Sequence, residues 1–188
     1  MTSENILDHP VTLELLLTDA AAQEQMLTAK FEDMARIINN ASAKWTAEQA
    51  DVFRLTNQLT IFRQVQYGGR RMTRSFMAQK ERIFYWNFDE FIAWEPPLRR
   101  PTAYFHDAWH VHQFLTDGLP PNNDDALIDR EQDAMAQQLA VAAILGCDQD
   151  MINWLTGYAN DRQRIKERLT SGMGIAGPRI EPHFLIVD

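Results

Sequence analysis

The chain contains a single cysteine, Cys147, among its 188 residues. This scarcity excludes an internal disulfide framework and is typical of a protein from a reducing compartment. No stretch approaches the roughly 18 uncharged apolar residues of a membrane span. The first residues also lack the basic start and apolar run of a secretory signal peptide. We therefore expect a cytoplasmic protein with no membrane partner, or one exported by a route that reads no N-terminal signal.

Positive charge is scarce as well, since 18 Lys and Arg residues face 26 Asp and Glu residues and the net charge is −8. Proteins that bind nucleic acid neutralise phosphates with clustered Lys and Arg, so this balance argues against a nucleic-acid partner. Two small basic groups, one within residues 70–80 and one at Arg99 and Arg100, lie beside acidic residues. We interpret both groups as solvated surface.

The composition that remains is that of an ordinary globular protein, with 45% hydrophobic and 23% charged residues. This length and composition predict one domain over residues 1–188 with a substantial core. Within it, the pattern favours a helical scaffold over 1–66, a strand region over 70–94, a helix pair over 104–146 and an extended tail over 172–188. The Gly-rich start and short apolar end of the tail suggest three roles: an added strand, a cover over the site, or a docking segment for a protein partner.

Helical spacing of apolar residues dominates the first third of the chain. It follows Pro10 and continues to Ile38, which predicts a helical region with a break inside it. Thr46 and Gln49 then match the capping box that begins a helix. The apolar residues after this box continue at helical spacing to Phe62.

Aromatic and β-branched residues replace this pattern in residues 70–94 and predict two strands, with residues 83–88 as the clearer one. An exposed strand at this place could bind a peptide by strand addition. A core strand in a small sheet is an equal alternative.

The most informative segment is residues 106–113, HDAWHVHQ. On a helix, His106 and His110 lie about 40° apart around the axis and one turn apart along it, which is a chelating arrangement. His112 points away from this face, whereas Trp109 and Gln113 lie near it. Two histidines at this spacing are also common as ordinary surface or core residues, so the pair needs a third ligand to indicate a metal site.

A second helix is predicted over residues 127–146, ending at Gly146. On its helical wheel Glu131 lies in the middle of the apolar stripe, within about 80° of its apolar neighbours. A carboxylate buried there carries a cost of several kcal/mol unless a cation or donors compensate it. An arginine, or a position at a frayed helix start, would be the alternative to a metal.

Two histidines on one helix and a carboxylate on the next are the ligands of an open catalytic zinc site. The segment HDAWHVHQ resembles the HExxHxxQ helix of gluzincin-type metallopeptidases, and REQDAMA, residues 130–136, resembles their RExxAxxA or READAxA helix. The resemblance covers residues 80–146. It implies that His106, His110 and Glu131 bind Zn²⁺, and that the substrate is a protein or peptide.

The chain departs from this family at one functional position. Where the family has a glutamate that acts as general base, this chain has Asp107, whose side chain is one methylene shorter. The motif HDxxH is similar to a metal-binding helix of ubiquinone-biosynthesis proteins, but these carry a glutamate where this chain has Asn122. That second resemblance is therefore the weaker one.

Together these observations predict a mainly helical α+β domain of zincin type, with a small sheet before the metal-binding helix. The expected function is zinc-dependent hydrolysis of peptide bonds with Asp107 as catalytic base. Candidates for stabilising the oxyanion are Tyr85, Tyr158 and His183. The alternative is a non-catalytic, metal-stabilised interaction module, or a metal-binding protein of the ubiquinone-biosynthesis type.

Overall fold

The computed structural model describes the backbone of residues 12–14, 20–63, 66–67, 70–71, 75–78, 83–87, 97–118, 123–171, 180–181 and 184–187. Side chains are described within 24–60, 97–118 and 123–167.

Helices make up most of the described chain, and none of them is both long enough and apolar enough to cross a membrane. A short 3-10 helix, Ser42–Lys44, separates the first two α-helices. The α-helices are α1 (Ala20–Asn40), α2 (Ala47–Leu59), α3 (Arg99–Asp117), α4 (Asp124–Leu145), α5 (Gln149–Ala159) and α6 (Arg162–Ser171).

The predicted capping box of α2 is confirmed. Thr46 Oγ1 accepts a hydrogen bond from Gln49 N at 3.1 Å, and Gln49 Oε1 accepts one from Thr46 N at 3.1 Å. The helix begins directly after Thr46 because two backbone N–H groups that the first turn leaves unpaired are both satisfied.

Two hydrophobic clusters hold the helices together. The larger joins α1, α2, α3 and α4. In it, the ring centroid of Phe53 in α2 lies 4.7 Å from that of Phe105 and 6.3 Å from that of Tyr104, both in α3. The second joins α4 to α5 and α6, with Leu155 and Ile165 fully buried. Helix α4 therefore contributes to both clusters and buries residues on more than one face.

The strands are short and come from many parts of the chain. A six-stranded sheet has the order β1-β2-β6-β5-β8-β7, and β3 pairs with β4 in a separate ribbon. The strands are β1 (Thr12–Glu14), β2 (Thr60–Arg63), β3 (Gln66–Tyr67), β4 (Arg70–Arg71), β5 (Ser75–Ala78), β6 (Ile83–Asn87), β7 (Ile180–Glu181) and β8 (Phe184–Val187).

The predicted fold class, an α+β domain of zincin type with a small sheet before the metal-binding helix, is wrong in its sheet. In the ranges whose side chains are described, residues 24–60, 97–118 and 123–167, 88% of the residues are helical. These three ranges contain no pair of hydrogen-bonded strands. The strands that do pair draw β1 from before all the helices and β7 and β8 from after them. Local patterns cannot reveal such pairings, because they join segments that are distant in the sequence.

Two segments predicted as helix are strands instead. Residues 12–14 form β1, and Ile61 and Phe62 belong to β2, which follows α2 directly and pairs with β1 in parallel register. Short apolar runs fit either helix or strand, and tertiary pairing decides between them.

Strand β6 pairs with β2 on one side and with β5 on the other. Its backbone donors and acceptors therefore already have partners along both edges. This arrangement favours the core-strand alternative over peptide capture by strand addition at β6.

Candidate metal centre

Helix α3 is buried over most of its circumference, which explains how it can carry polar ligands inward. Its buried residues include His106, Asp107, His110 and Gln113, with exposed fractions of 2–6%. The helix starts at Arg99 and tolerates Pro101 because the first turn needs no donor from its N–H groups. It ends at Gly118, whose φ of 75° breaks the helical run.

Helix α4 lies alongside α3 and supplies Glu131, the third residue of the candidate centre. Its N-terminus is capped by Asn123, whose side chain accepts a hydrogen bond from Ala126 N at 2.7 Å. Asp124 and Asp125 occupy the first turn, where the helix dipole favours negative charge. Glu131 follows two turns later and is 1% exposed, which confirms that it points inward.

His106, His110 and Glu131 form a buried group that could hold a metal ion. The His110 Nε2 atom lies 3.2 Å from His106 Nε2 and 3.1 Å from Glu131 Oε2. The third side of this triangle, from His106 Nε2 to Glu131 Oε2, measures 3.6 Å. Both imidazoles therefore present the same nitrogen, Nε2, to one carboxylate oxygen.

These three distances match one face of a tetrahedral metal site. With metal–ligand bonds of about 2.0–2.1 Å, tetrahedral geometry places ligand atoms about 3.3 Å apart. Two of the observed distances, 3.1 and 3.2 Å, are slightly shorter than that value, and the third, 3.6 Å, is slightly longer. Two imidazole nitrogens and one carboxylate oxygen are donors that zinc and other divalent transition metals accept, and the fourth position of the tetrahedron has no ligand among these three residues.

A hydrogen-bond network connects His110 to the neighbouring helix. His110 Nδ1 lies 2.9 Å from Gln113 Oε1, and Gln113 Nε2 donates to Asp133 Oδ2 at 2.8 Å and to the Arg130 carbonyl at 3.2 Å. Trp109 Nε1 donates to the same Asp133 oxygen at 2.6 Å. Sequence patterns did not reveal this network, because Asp133 is an exposed residue of α4 and lies outside its apolar stripe. The signal was present in Gln113, which follows His110 by three residues and so shares its side of the helix.

Asp107, the predicted catalytic base, is 4% exposed on α3. Its charge is close enough to act on Tyr104, one turn earlier. Burial raises the pKa of the Tyr104 phenol well above its ordinary value, the hydrogen bond with Thr60 opposes that rise, and the Asp107 carboxylate adds to it. The Tyr104 hydroxyl lies 3.2 Å from Thr60 Oγ1. Asp107 therefore lies between the ligand face of α3 and the face that packs on α2.

The other histidine on this helix lies elsewhere. The His112 ring contacts the Trp109 ring, with centroids 4.9 Å apart, and His112 Nε2 lies 3.8 Å from Glu48 Oε1. Among the described residues, the group able to hold a metal comprises His106, His110 and Glu131 without His112.

Of the three candidates for stabilising an oxyanion, Tyr158 is the one whose side chain is described. Tyr158 is 1% exposed and packs with Leu155 in the second hydrophobic cluster, with its ring stacked on Trp154. The side chain of Tyr85 and the whole of His183 lie outside the described residues.

The interpretation of Arg99 and Arg100 as solvated surface is wrong for one of them. Arg99 is exposed and its guanidinium lies over the Trp154 ring, 6.0 Å from the centroid. Arg100 is only 3% exposed. Consecutive residues point about 100° apart around a helix axis, so Arg99 and Arg100 lie on different sides of α3.

Comparison of the chain with protein-family models, with curated proteins and with solved structures finds no match.

Proposed function

We propose that the protein is a zinc-dependent hydrolase that cleaves peptide bonds, with one Zn²⁺ held by His106, His110 and Glu131. The observation that carries this proposal is the triangle of ligand atoms, whose sides of 3.1, 3.2 and 3.6 Å fit one face of a tetrahedron. The resemblance of residues 106–113 and 130–136 to gluzincin-type motifs supports peptide bonds as the substrate class.

Burial of the carboxylate is the second support. Glu131 is 1% exposed, and a charged carboxylate at such a site needs compensation of several kcal/mol. The two imidazoles offset this charge only if one of them carries an extra proton. A divalent cation at the centre of the triangle compensates the charge directly and leaves both imidazoles neutral.

Within this proposal each residue of the centre has a defined role. His106, His110 and Glu131 would hold the metal through Nε2, Nε2 and Oε2. Bound there, Zn²⁺ supplies Lewis acidity and lowers the pKa of water to about 7. Asp107, next to His106 on the same helix, takes the proton from the attacking water and passes it to the leaving amine.

The proposal is tested by comparing wild type, Asp107→Ala and Asp107→Glu on an unstructured protein and a broad peptide library, with and without chelator. Asp107→Ala should keep its zinc and lose about 10² or more of the cleavage rate, the usual scale of a general base. Asp107→Glu restores the residue of the resembling family and should retain or raise the rate. A library left uncut by both wild type and Asp107→Glu would contradict the peptidase assignment.

A non-catalytic role has one observation in its favour. All three ligands are nearly inaccessible, with exposed fractions of 4% for His106, 2% for His110 and 1% for Glu131. A metal at such a place would tie α3 to α4 and stiffen a module that binds a protein partner. In that case zinc removal lowers the melting temperature, and none of the three proteins shows zinc-dependent cleavage.

A further inference from the structure

The orientation of the Gln113 amide is decided by its neighbours. Its nitrogen lies 2.8 Å from Asp133 Oδ2 and 3.2 Å from the Arg130 carbonyl oxygen. Both of these atoms are acceptors, so the amide must turn its NH₂ group toward them. The remaining group, Gln113 Oε1, then faces His110 Nδ1 at 2.9 Å.

This orientation determines which nitrogen of His110 carries a proton. Because Gln113 Oε1 can only accept, the hydrogen bond at 2.9 Å requires a proton on His110 Nδ1. In the neutral imidazole the other nitrogen, Nε2, then has its lone pair available. That nitrogen is the one that faces His106 Nε2 and Glu131 Oε2.

Asp133 is what keeps the amide from turning over. The same carboxylate oxygen accepts from Gln113 Nε2 at 2.8 Å and from Trp109 Nε1 at 2.6 Å. Two donors converging on one oxygen from α3 fix its position, although Asp133 itself is an exposed residue. The chain of contacts therefore runs from the buried ligand His110, through a 6% exposed Gln113, to the surface of α4.

We propose that Gln113 and Asp133 are positioning residues that select the metal-binding tautomer of His110, an inference that rests on the proposed metal site. Without these two residues, the more stable neutral form of His110 would carry its proton on Nε2, where it can be donated to the Glu131 carboxylate 3.1 Å away. That tautomer blocks the ligand nitrogen. Partners of this kind, which hold the second ring nitrogen of a ligand histidine, typically affect metal affinity by 10-fold to 100-fold.

The test measures the protonation of the His110 ring nitrogens by ¹⁵N NMR in the metal-free protein, at a pH raised until the ¹⁵N shifts show that the His110 ring carries a single proton. His110→Ala identifies the resonances among the five histidines. Zinc affinity is measured on the same proteins by chelator competition. The variants are Gln113→Met, Asp133→Ala and the double variant Gln113→Glu/Asp133→Ala, and Gln137→Met on α4 is the control for replacing glutamine by methionine.

Wild type should carry its proton on Nδ1, and Gln113→Met should move it to Nε2 and weaken zinc binding about 10-fold to 100-fold. The double variant Gln113→Glu/Asp133→Ala keeps an acceptor for Nδ1–H without setting two carboxylates against each other, and it should keep the wild-type tautomer. A variant that only disturbed packing would not be rescued in this way. Asp133→Ala should weaken zinc binding in the same direction, and Gln137→Met should leave both readouts unchanged.

The two measurements distinguish a failure of the positioning role from a failure of the metal site. Zinc binding by wild type with an unprotonated Nδ1, or a Gln113→Met protein with unchanged tautomer and affinity, would overturn the positioning role and leave the metal site intact. A wild type that binds no zinc, yet carries the Nδ1 proton and loses it in Gln113→Met, would support the tautomer selection and refute the metal site. Should Gln113→Met fail to fold, Asp133→Ala decides the question, because an unchanged tautomer and an unchanged zinc affinity in that variant would overturn the positioning role.

Discussion

Glu131 is the residue on which the proposed metal centre depends most. Its place on the apolar stripe of α4 could be read from the sequence, because the helical wheel needs only local spacing. Its two partners, His106 and His110, could be paired on the same ground, since residues four apart share one face of a helix. What the sequence could not show is that Glu131 Oε2 lies 3.1 Å from His110 Nε2, because that distance depends on how α3 and α4 pack.

Replacement of single histidines should separate ligands from neighbours. His106→Ala and His110→Ala each remove one corner of the triangle and should lose most of the bound metal. His112→Ala should retain it, because the His112 ring packs on Trp109 and lies near Glu48 instead. Metal content after gel filtration measures this. A loss in His112→Ala as deep as in His110→Ala, with unchanged circular dichroism, would refute the assignment of the ligands.

Tyr104 predicts a pH dependence of stability at high pH. Burial, as the largest cause, raises the pKa of its phenol above the ordinary value of 10.0. Below pH 10 the phenol is neutral in both folded and unfolded chains, so its contribution is fully present there. Above pH 10 the unfolded chain ionises first, and stability is lost as the pH rises toward the folded-state pKa, by up to about 1.4 kcal/mol per pH unit.

Tyr104→Phe tests this contribution. At pH 7 the variant should be less stable by about 1 kcal/mol, because it loses the hydroxyl that lies 3.2 Å from Thr60 Oγ1. Between pH 10 and about 11 the difference from wild type should shrink, since the variant has no phenol at this position to ionise. Urea unfolding of both proteins at pH 7 and at about pH 11 measures this difference in unfolding free energy. A difference that is larger at the higher pH would contradict a raised pKa for Tyr104.

At the scale of secondary structure, the ends of helices were predictable where side chains cap them. Thr46 and Gln49 begin α2, and Gly146 ends α4, because each cap is formed by residues within a few positions of one another. At the end of α4, Cys147 N donates to the Ala142 carbonyl at 3.0 Å and Gly146 adopts a φ of 72°. The strands were less predictable, because their partners lie far away in the sequence.

The two glycines of the α4–α5 region should respond to alanine with opposite signs. Gly146→Ala forces a side chain into the left-handed conformation at φ 72° and should destabilise the protein by about 1–2 kcal/mol. Gly157→Ala lies inside α5, where nothing within 4 Å opposes a Cβ, and should stabilise it by about 0.5–1 kcal/mol. Chemical denaturation of the pair measures both effects. A Gly146→Ala protein at least as stable as wild type would show that the conformation at Gly146 is not left-handed.

For the whole molecule, the largest gap between sequence and structure is the origin of the sheet. β5 pairs with β8, so residues 75–78 and 184–187 lie side by side although most of the helices separate them in the chain. An aromatic run predicts a strand but does not say which strand it joins. The candidate metal centre was more accessible to sequence reasoning because its three residues belong to two successive helices joined by a short loop, for which antiparallel packing is the usual outcome.

Metal content is the most direct test of the centre, because every functional role proposed for it depends on a bound ion. Wild type and Glu131→Ala, purified without chelator and with zinc supplied, are compared by elemental analysis after their folds are checked by circular dichroism. Wild type should contain about one zinc per chain, and Glu131→Ala should lose most of it, because three protein ligands hold such a site. A folded wild type that contains no transition metal would contradict the metal centre.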